Sequence, residues 1–250
     1  MISKMILETK NGRTSNVGIE CLLFFLVFII CEIVKSILIA IPIFFEMIKM
    51  INLEFREGMG ANKTFQDIYD LSMDIISTPS VLIASLFSCT ATIIGVVIYC
   101  HVIRKRPYSS MGFVKKNALR DYLIGMFWGI LLLSSLHVVL YAFGYIEHIQ
   151  YNGFNFLLIL YFVGFILQSA SEEVLLRGYL MNSAAARSNI PVSVILNSGI
   201  FTALHLFNPG ITTLSILNIF IFGVVFSLVF LLSDNIWMAS GLHFFWNFSL

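Results

Sequence analysis

Residues 154–182 read FNFLLILYFVGFILQSASEEVLLRGYLMN. The run is apolar from Phe156 to Leu167, then places Glu172, Glu173 and Arg177 close together before apolar side chains return. A helix rising about 1.5 Å per residue over this length crosses a hydrocarbon core of about 30 Å. Ionisable groups inside such a span are costly, so each is a functional hypothesis by default. One stretch therefore points to a helical membrane fold and to a place where chemistry is expected.

The rest of the chain agrees. Of its 250 residues 58% are hydrophobic and 12% charged, against about 25% charged in soluble domains. Seven apolar runs, about 20–45, 81–102, 122–145, 154–182, 191–207, 211–232 and 236–250, predict an all-α polytopic helical membrane bundle of about seven transmembrane helices. Turn chemistry separates them: STPS, YNG, SNIP, NPG and SDN precede the second, fourth, fifth, sixth and seventh runs. Residues 1–150 form an N-terminal membrane region of about three spans, and 151–250 a core of about four. The stretch FQDIYDLSMDII spaces Phe65, Ile68, Leu71 and Ile75 helically, which predicts a surface helix between the first two spans. Cys21, Cys31, Cys89 and Cys100 show neither metal-ligand nor disulfide spacing. A formal net charge of +1 gives no basic footprint for nucleic acid.

The first 19 residues lack the apolar core of a cleavable signal, so the first run is expected to stay as a span. Basic residues set the orientation. Arg104, Lys105, Arg106, Lys115, Lys116 and Arg120 form the strongest block, and Lys4, Lys10, Arg13 and Arg187 fall on the same side. This predicts a cytoplasmic N-terminus.

The ionisable groups within the spans sort into pairs and sets. Glu32 and Lys35 are i,i+3 and read as a self-neutralising pair. His137 stands alone, and a hydrogen bond to another helix is expected. Glu173 and Arg177 are i,i+4, acid first, the favourable order for an ion pair. Glu172 is turned about 100° from Glu173 and has Leu176 one turn on, so a partner on another helix is expected. His243 and Asn247 are i,i+4, as are Phe201 and His205. Helix rise puts Glu172 about 25 Å and His205 about 24 Å from the turn near Asn189, at one level of a hairpin. It puts His243 about 13 Å and Asn247 about 19 Å from the turn near Asp234. Gly178 and Gly241 would permit close helix approach.

One carboxylate and two imidazoles suit two chemistries. Glu172 could act as general base on a water, with histidine and asparagine donors for the oxyanion. Glu172, His205 and His243 could instead be the first shell of a catalytic zinc or another divalent metal. A polar helix-packing network is the bland alternative.

In order, E-E-x-x-x-R, F-x-x-x-H and H-x-x-x-N on three late spans resemble the CAAX protease and bacteriocin-processing family of intramembrane endopeptidases, often labelled metalloproteases. The resemblance covers about 154–250. It implies Glu172 as the catalytic glutamate with His205 as partner, His243 and Asn247 as the oxyanion pair, and Glu173, Arg177 and Phe201 in support. It implies a hydrolase acting on membrane-associated, CAAX-like or bacteriocin-type peptides, surrounded by lipid. The composition is that expected of a bacterial plasma-membrane protein. The alternatives are a non-enzymatic bacteriocin-immunity or scaffold protein that keeps the fold, and a secondary transporter. The residues above are expected to face one cavity open to the cytoplasmic half. Oligomeric state is not legible.

Leu250 follows three residues after Asn247, and 236–250 gives only about 22 Å of helix. The expectation is a longer protein whose last helix continues past 250.

Overall fold

A computed structural model describes residues 3–56, 64–146 and 153–249, with the side chains of 54–56 excepted. Tyr151, Asn152 and Leu250, on which the fourth turn and the chain-end expectation rest, lie outside the described residues. The helices are α1 (Lys4–Asn11), α2 (Val17–Arg56), α3 (Phe65–Ile76), α4 (Pro79–Ile98), α5 (Ala118–Ala142), α6 (Leu157–Glu173), α7 (Asn182–Ala185), α8 (Ile190–Leu204), α9 (Thr213–Ser233) and α10 (Trp237–Phe248). A π-helical stretch, Val174–Met181, joins α6 to α7 without a break. Among the described residues, five helical segments are long and apolar enough to cross a membrane. With the shorter apolar α8 and α10 they account for the seven runs, and the bundle is all-helical as predicted.

Side-chain pattern explains the packing. On α2, Phe24, Val27 and Cys31 recur at helical spacing and are buried, while Ile29, Ile33, Ile37 and Ile41 point outward. That is the partition expected of a span with one face on protein and one on lipid. The α2–α4 contact is close: a Cβ at Gly95 would come within 2.9 Å of Cys31 Sγ. Helices α5 and α10 approach closest of all. A Cβ at Gly125 would meet the Met238 carbonyl oxygen at 2.1 Å, and one at Gly241 the Tyr122 carbonyl oxygen at 2.1 Å. Gly241 thus does what its sequence position predicted. Its partners Gly125 and Gly129, a G-x-x-x-G on α5, were not singled out. Gly178 likewise stands under the Met111 carbonyl, where a Cβ would sit at 2.9 Å.

The helix expected over 65–76 is present as α3, opened by a capping box in which the Thr64 and Asp67 side chains take each other's backbone N–H. The polar N-terminal tail holds a helix that composition did not suggest. Met5, Ile6 and Thr9 of α1 are buried, against the turn 108–111 and α7. Three apolar positions in eight residues give too short a pattern to read.

The basic block is only partly a solvated face. Lys115, Lys116 and Arg120 are exposed, but Arg104 is buried in an ion pair with Glu20. Arg106 is buried too, donating to Gly178 O (2.8 Å), Ser183 Oγ (3.0 Å), Ser110 Oγ (3.2 Å) and Ser110 O (3.3 Å). It ties the 104–111 segment to the π-helical stretch. His137 is exposed and bonds the Leu133 carbonyl one turn back at 2.9 Å, so the expected bond to another helix is not made.

Candidate active site

Three helices converge on Glu173. Its Oε1 accepts from Arg177 Nη1 at 2.9 Å, and both side chains are fully buried. The π-helical stretch carries Arg177 to where its guanidinium lies between two rings, 4.8 Å from the Phe201 centroid on α8 and 5.3 Å from the Phe226 centroid on α9. Its Nη2 donates to the Gly223 carbonyl at 3.2 Å. Cation–π contact and hydrogen bonding together make burial of this charge tolerable. The predicted i,i+4 pair is therefore formed.

The same Glu173 oxygen receives His243 of α10, whose Nδ1 lies 2.8 Å away. The imidazole stacks on Phe226, centroids 4.5 Å apart and planes at 16°. A carboxylate can only accept, so with Glu173 paired to Arg177 the bond to His243 is made with the hydrogen on Nδ1. Nε2 is then turned to Glu172 Oε2, 3.7 Å off. Arg177, Glu173, His243 and Glu172 form one relay, with the arginine cancelling the inner carboxylate. Glu172 Oε2 and His243 Nε2 stand at its outer end, 3.7 Å apart.

Glu172 is the member of the relay that meets a cavity. Its side chain keeps 25% of its surface accessible. The cavity, about 380 Å³, is lined by Glu172, Gln168 and Ser171 of α6, His205 and Asn208 after α8, and Glu32 and Lys35 of α2. Glu172 Oε2 is buried without a hydrogen-bond partner among the described residues. Its Oε1 accepts from Gln168 Nε2 one turn back, so a partner on its own helix exists after all. Gln168 Oε1 in turn accepts from Asn247 Nδ2 at 2.9 Å. Asn247 therefore reaches Glu172 through Gln168 and not directly.

His205 caps α8, where its Nδ1 lies 2.7 Å from the Phe201 carbonyl oxygen. The F-x-x-x-H spacing is realised as a side chain bonded to the preceding turn. Phe201 packs on His205 (centroids 4.6 Å), on His243 (6.1 Å) and on Arg177. His205 and Glu172 line one cavity, as the equal depths predicted.

No residue of α1 lines the cavity; its α4 residues Ser85, Cys89 and Thr92 lie in the middle of that helix, and Leu204, His205 and Asn208 at and just beyond the end of α8. The proposed zinc shell of Glu172, His205 and His243 is not assembled. Among the described residues no three His, Cys, Asp or Glu side chains are grouped to hold a metal ion. His243 Nδ1 bonds Glu173 and His205 Nδ1 bonds a backbone carbonyl, which leaves Nε2 as the second nitrogen of each ring.

Sequence reading missed Gln168, although it stands four residues before Glu172, the spacing that flagged the other pairs. It also missed the place of Glu32 and Lys35. They form their local pair at 2.8 Å, but the pair lines the same cavity as Glu172.

A membrane bundle with a buried carboxylate–imidazole relay at the wall of a cavity has the equipment of an intramembrane hydrolase. Residues 152–249 match the family described as type II CAAX prenyl endopeptidase, Rce1-like. This part of the chain is thus similar to the CAAX-type endopeptidases, and the protein is an integral membrane protein. No curated protein and no solved structure matches the chain.

Proposed function

We propose that this protein is an intramembrane endopeptidase in which Glu172 is the general base for an attacking water. The observation that carries the reading is the relay ending at Glu172, whose Oε2 is unpartnered and beside His243 Nε2. Glu172 takes a proton from water as the water oxygen bonds the scissile carbonyl carbon. His243, anchored on Glu173, shares that proton, which then passes to the leaving amine as the C–N bond breaks. The geometry favours His243 as the partner of Glu172, a role the resemblance gave to His205. His205, across the same cavity, becomes the candidate donor to the oxyanion. Asn247 and Gln168 hold the Glu172 carboxylate in place.

The substrates are membrane-associated peptides able to reach a cavity of this size, and lipid surrounds the remaining surface. The exposed Lys115, Lys116 and Arg120, with Lys4 and Lys10 on α1, support a cytoplasmic N-terminus; the composition fits a bacterial plasma membrane. The test is cleavage of a membrane-peptide library by the detergent-purified protein, with and without chelator. Cleavage that survives chelation supports the reading. Cleavage lost on chelation and restored by a divalent metal overturns its metal-free chemistry, and no cleavage at all favours a non-catalytic immunity or scaffold role.

A further inference from the structure

Helix α2 lies outside the matched residues, yet it brings an ion pair to the wall of the cavity. Lys35 Nζ donates to Glu32 Oε1 at 2.8 Å. Neither side chain bonds another helix among the described residues, so the pair does not tie α2 to the bundle. Charges placed within a span without a structural return call for another reason. Lys35 is also the cavity's sole lysine or arginine among the described residues. An ammonium has three N–H donors, and Glu32 takes one. Lys35 and Glu172 line the same cavity, which puts cation and general base within reach of one ligand. The cavity, about 380 Å³, falls within the range of about 300–1,000 Å³ typical of small-ligand sites. It has room for a short peptide segment.

The anion that every peptide carries, whatever its sequence, is its terminal carboxylate. We propose that Lys35 receives the substrate's free C-terminal carboxylate while the scissile carbonyl faces Glu172, with Glu32 holding the ammonium in position between turnovers. Lys35 is then a specificity-determining residue, and the site selects peptides by their chain end. This rests on the protease reading for the position of the scissile bond.

The test uses one dansyl-labelled prenylated CAAX peptide made as a free acid and as a C-terminal amide. Binding is measured on detergent-purified Glu172→Gln protein, so the peptide is not consumed, and cleavage separately on the wild type. The acid is expected to bind at least about tenfold tighter than the amide, the scale of one charge-assisted hydrogen bond. Lys35→Met on that background abolishes the preference and Lys35→Arg keeps it. Glu32→Gln, which frees a donor and removes a competing carboxylate, enlarges it. These are ratios within one preparation, so partial loss of folded protein does not imitate them. Equal binding of acid and amide, or a preference that survives Lys35→Met, would overturn the proposal. A Lys35 that merely balances the charge of Glu172 gives that result, because both peptides weaken alike. Acid preference without cleavage by the wild type would overturn the protease reading while upholding this one.

Discussion

Glu173 Oε1 lies 2.8 Å from His243 Nδ1, joining the middle of the fourth span to the last helix. The same oxygen takes Arg177 at 2.9 Å. A single carboxylate thus fixes an imidazole and a guanidinium, and through the imidazole it sets which nitrogen faces Glu172. Two separate sequence motifs, E-E-x-x-x-R and H-x-x-x-N, meet at this atom.

Removing that charge should show as instability before it shows as lost chemistry. Glu173→Gln leaves Arg177 buried without its counter-ion. Breaking such a pair costs about 3–5 kcal/mol. Thermal unfolding in detergent should show a markedly lower Tm and reduced yield of folded protein. An unchanged Tm would mean that the ion pair does not hold the bundle together.

Close approach of α5 and α10 should be as necessary as the polar residues. A Cβ at Gly125 would lie 2.1 Å from the Met238 carbonyl oxygen, and backbone cannot move aside cheaply. Gly125→Val should separate the two helices, displace His243 and Asn247, and abolish cleavage. Thermal unfolding in detergent checks the geometry: a markedly lower Tm is expected for Gly125→Val, and an unchanged Tm would contradict the close approach.

The bundle was legible because its signal is coarse: apolar runs of span length, broken by Pro, Gly and Asn turns. The catalytic candidates were legible because i,i+4 spacing survives folding, as Glu173 with Arg177 and Phe201 with His205 show. What spacing cannot give is which atoms of different helices meet. His243 was grouped with Glu172, and the two approach to 3.7 Å, but its bond to Glu173 depends on the rotation of α10, which Gly241 sets against Tyr122. Lys35 was read as locally satisfied, which it is, and that hid its cavity. The π-helical stretch 174–181 left no pattern, since its residues are buried on every side. Arg104 and Arg106 looked like loop charges because loop composition does not reveal a buried partner such as Glu20 or a row of carbonyls.

Gln168 should act through Glu172. It bonds the Glu172 carboxylate and the Asn247 amide. Gln168→Ala removes a hydrogen bond to a charged group, of about 1.5–3 kcal/mol, or about ten- to a hundredfold in rate if it holds the base in position. The fall should be in kcat with KM little changed, and Gln168→Glu should not restore it. A change confined to KM would make Gln168 a substrate contact instead.

Arg106 should matter for stability and not for the reaction itself. Arg106→Met relieves a buried charge but leaves the Gly178 carbonyl and the Ser183 hydroxyl without their donor. Each unsatisfied buried group costs about 1–3 kcal/mol. Tm should drop, while kcat per folded molecule, counted by active-site labelling, should stay within about twofold. A large loss of kcat at unchanged Tm would place Arg106 in the site.

The central claim is that Glu172 is the base. The most direct measurement is single-turnover cleavage by Glu172→Gln, with folding checked by Tm and by binding of the same peptide. The substitution keeps volume and hydrogen-bonding reach and removes only the proton acceptor. The account predicts wild-type Tm, near-wild-type binding and a rate lower by about a hundred- to ten-thousandfold, the usual contribution of a positioned general base. Cleavage at close to the wild-type rate by folded Glu172→Gln protein would contradict it.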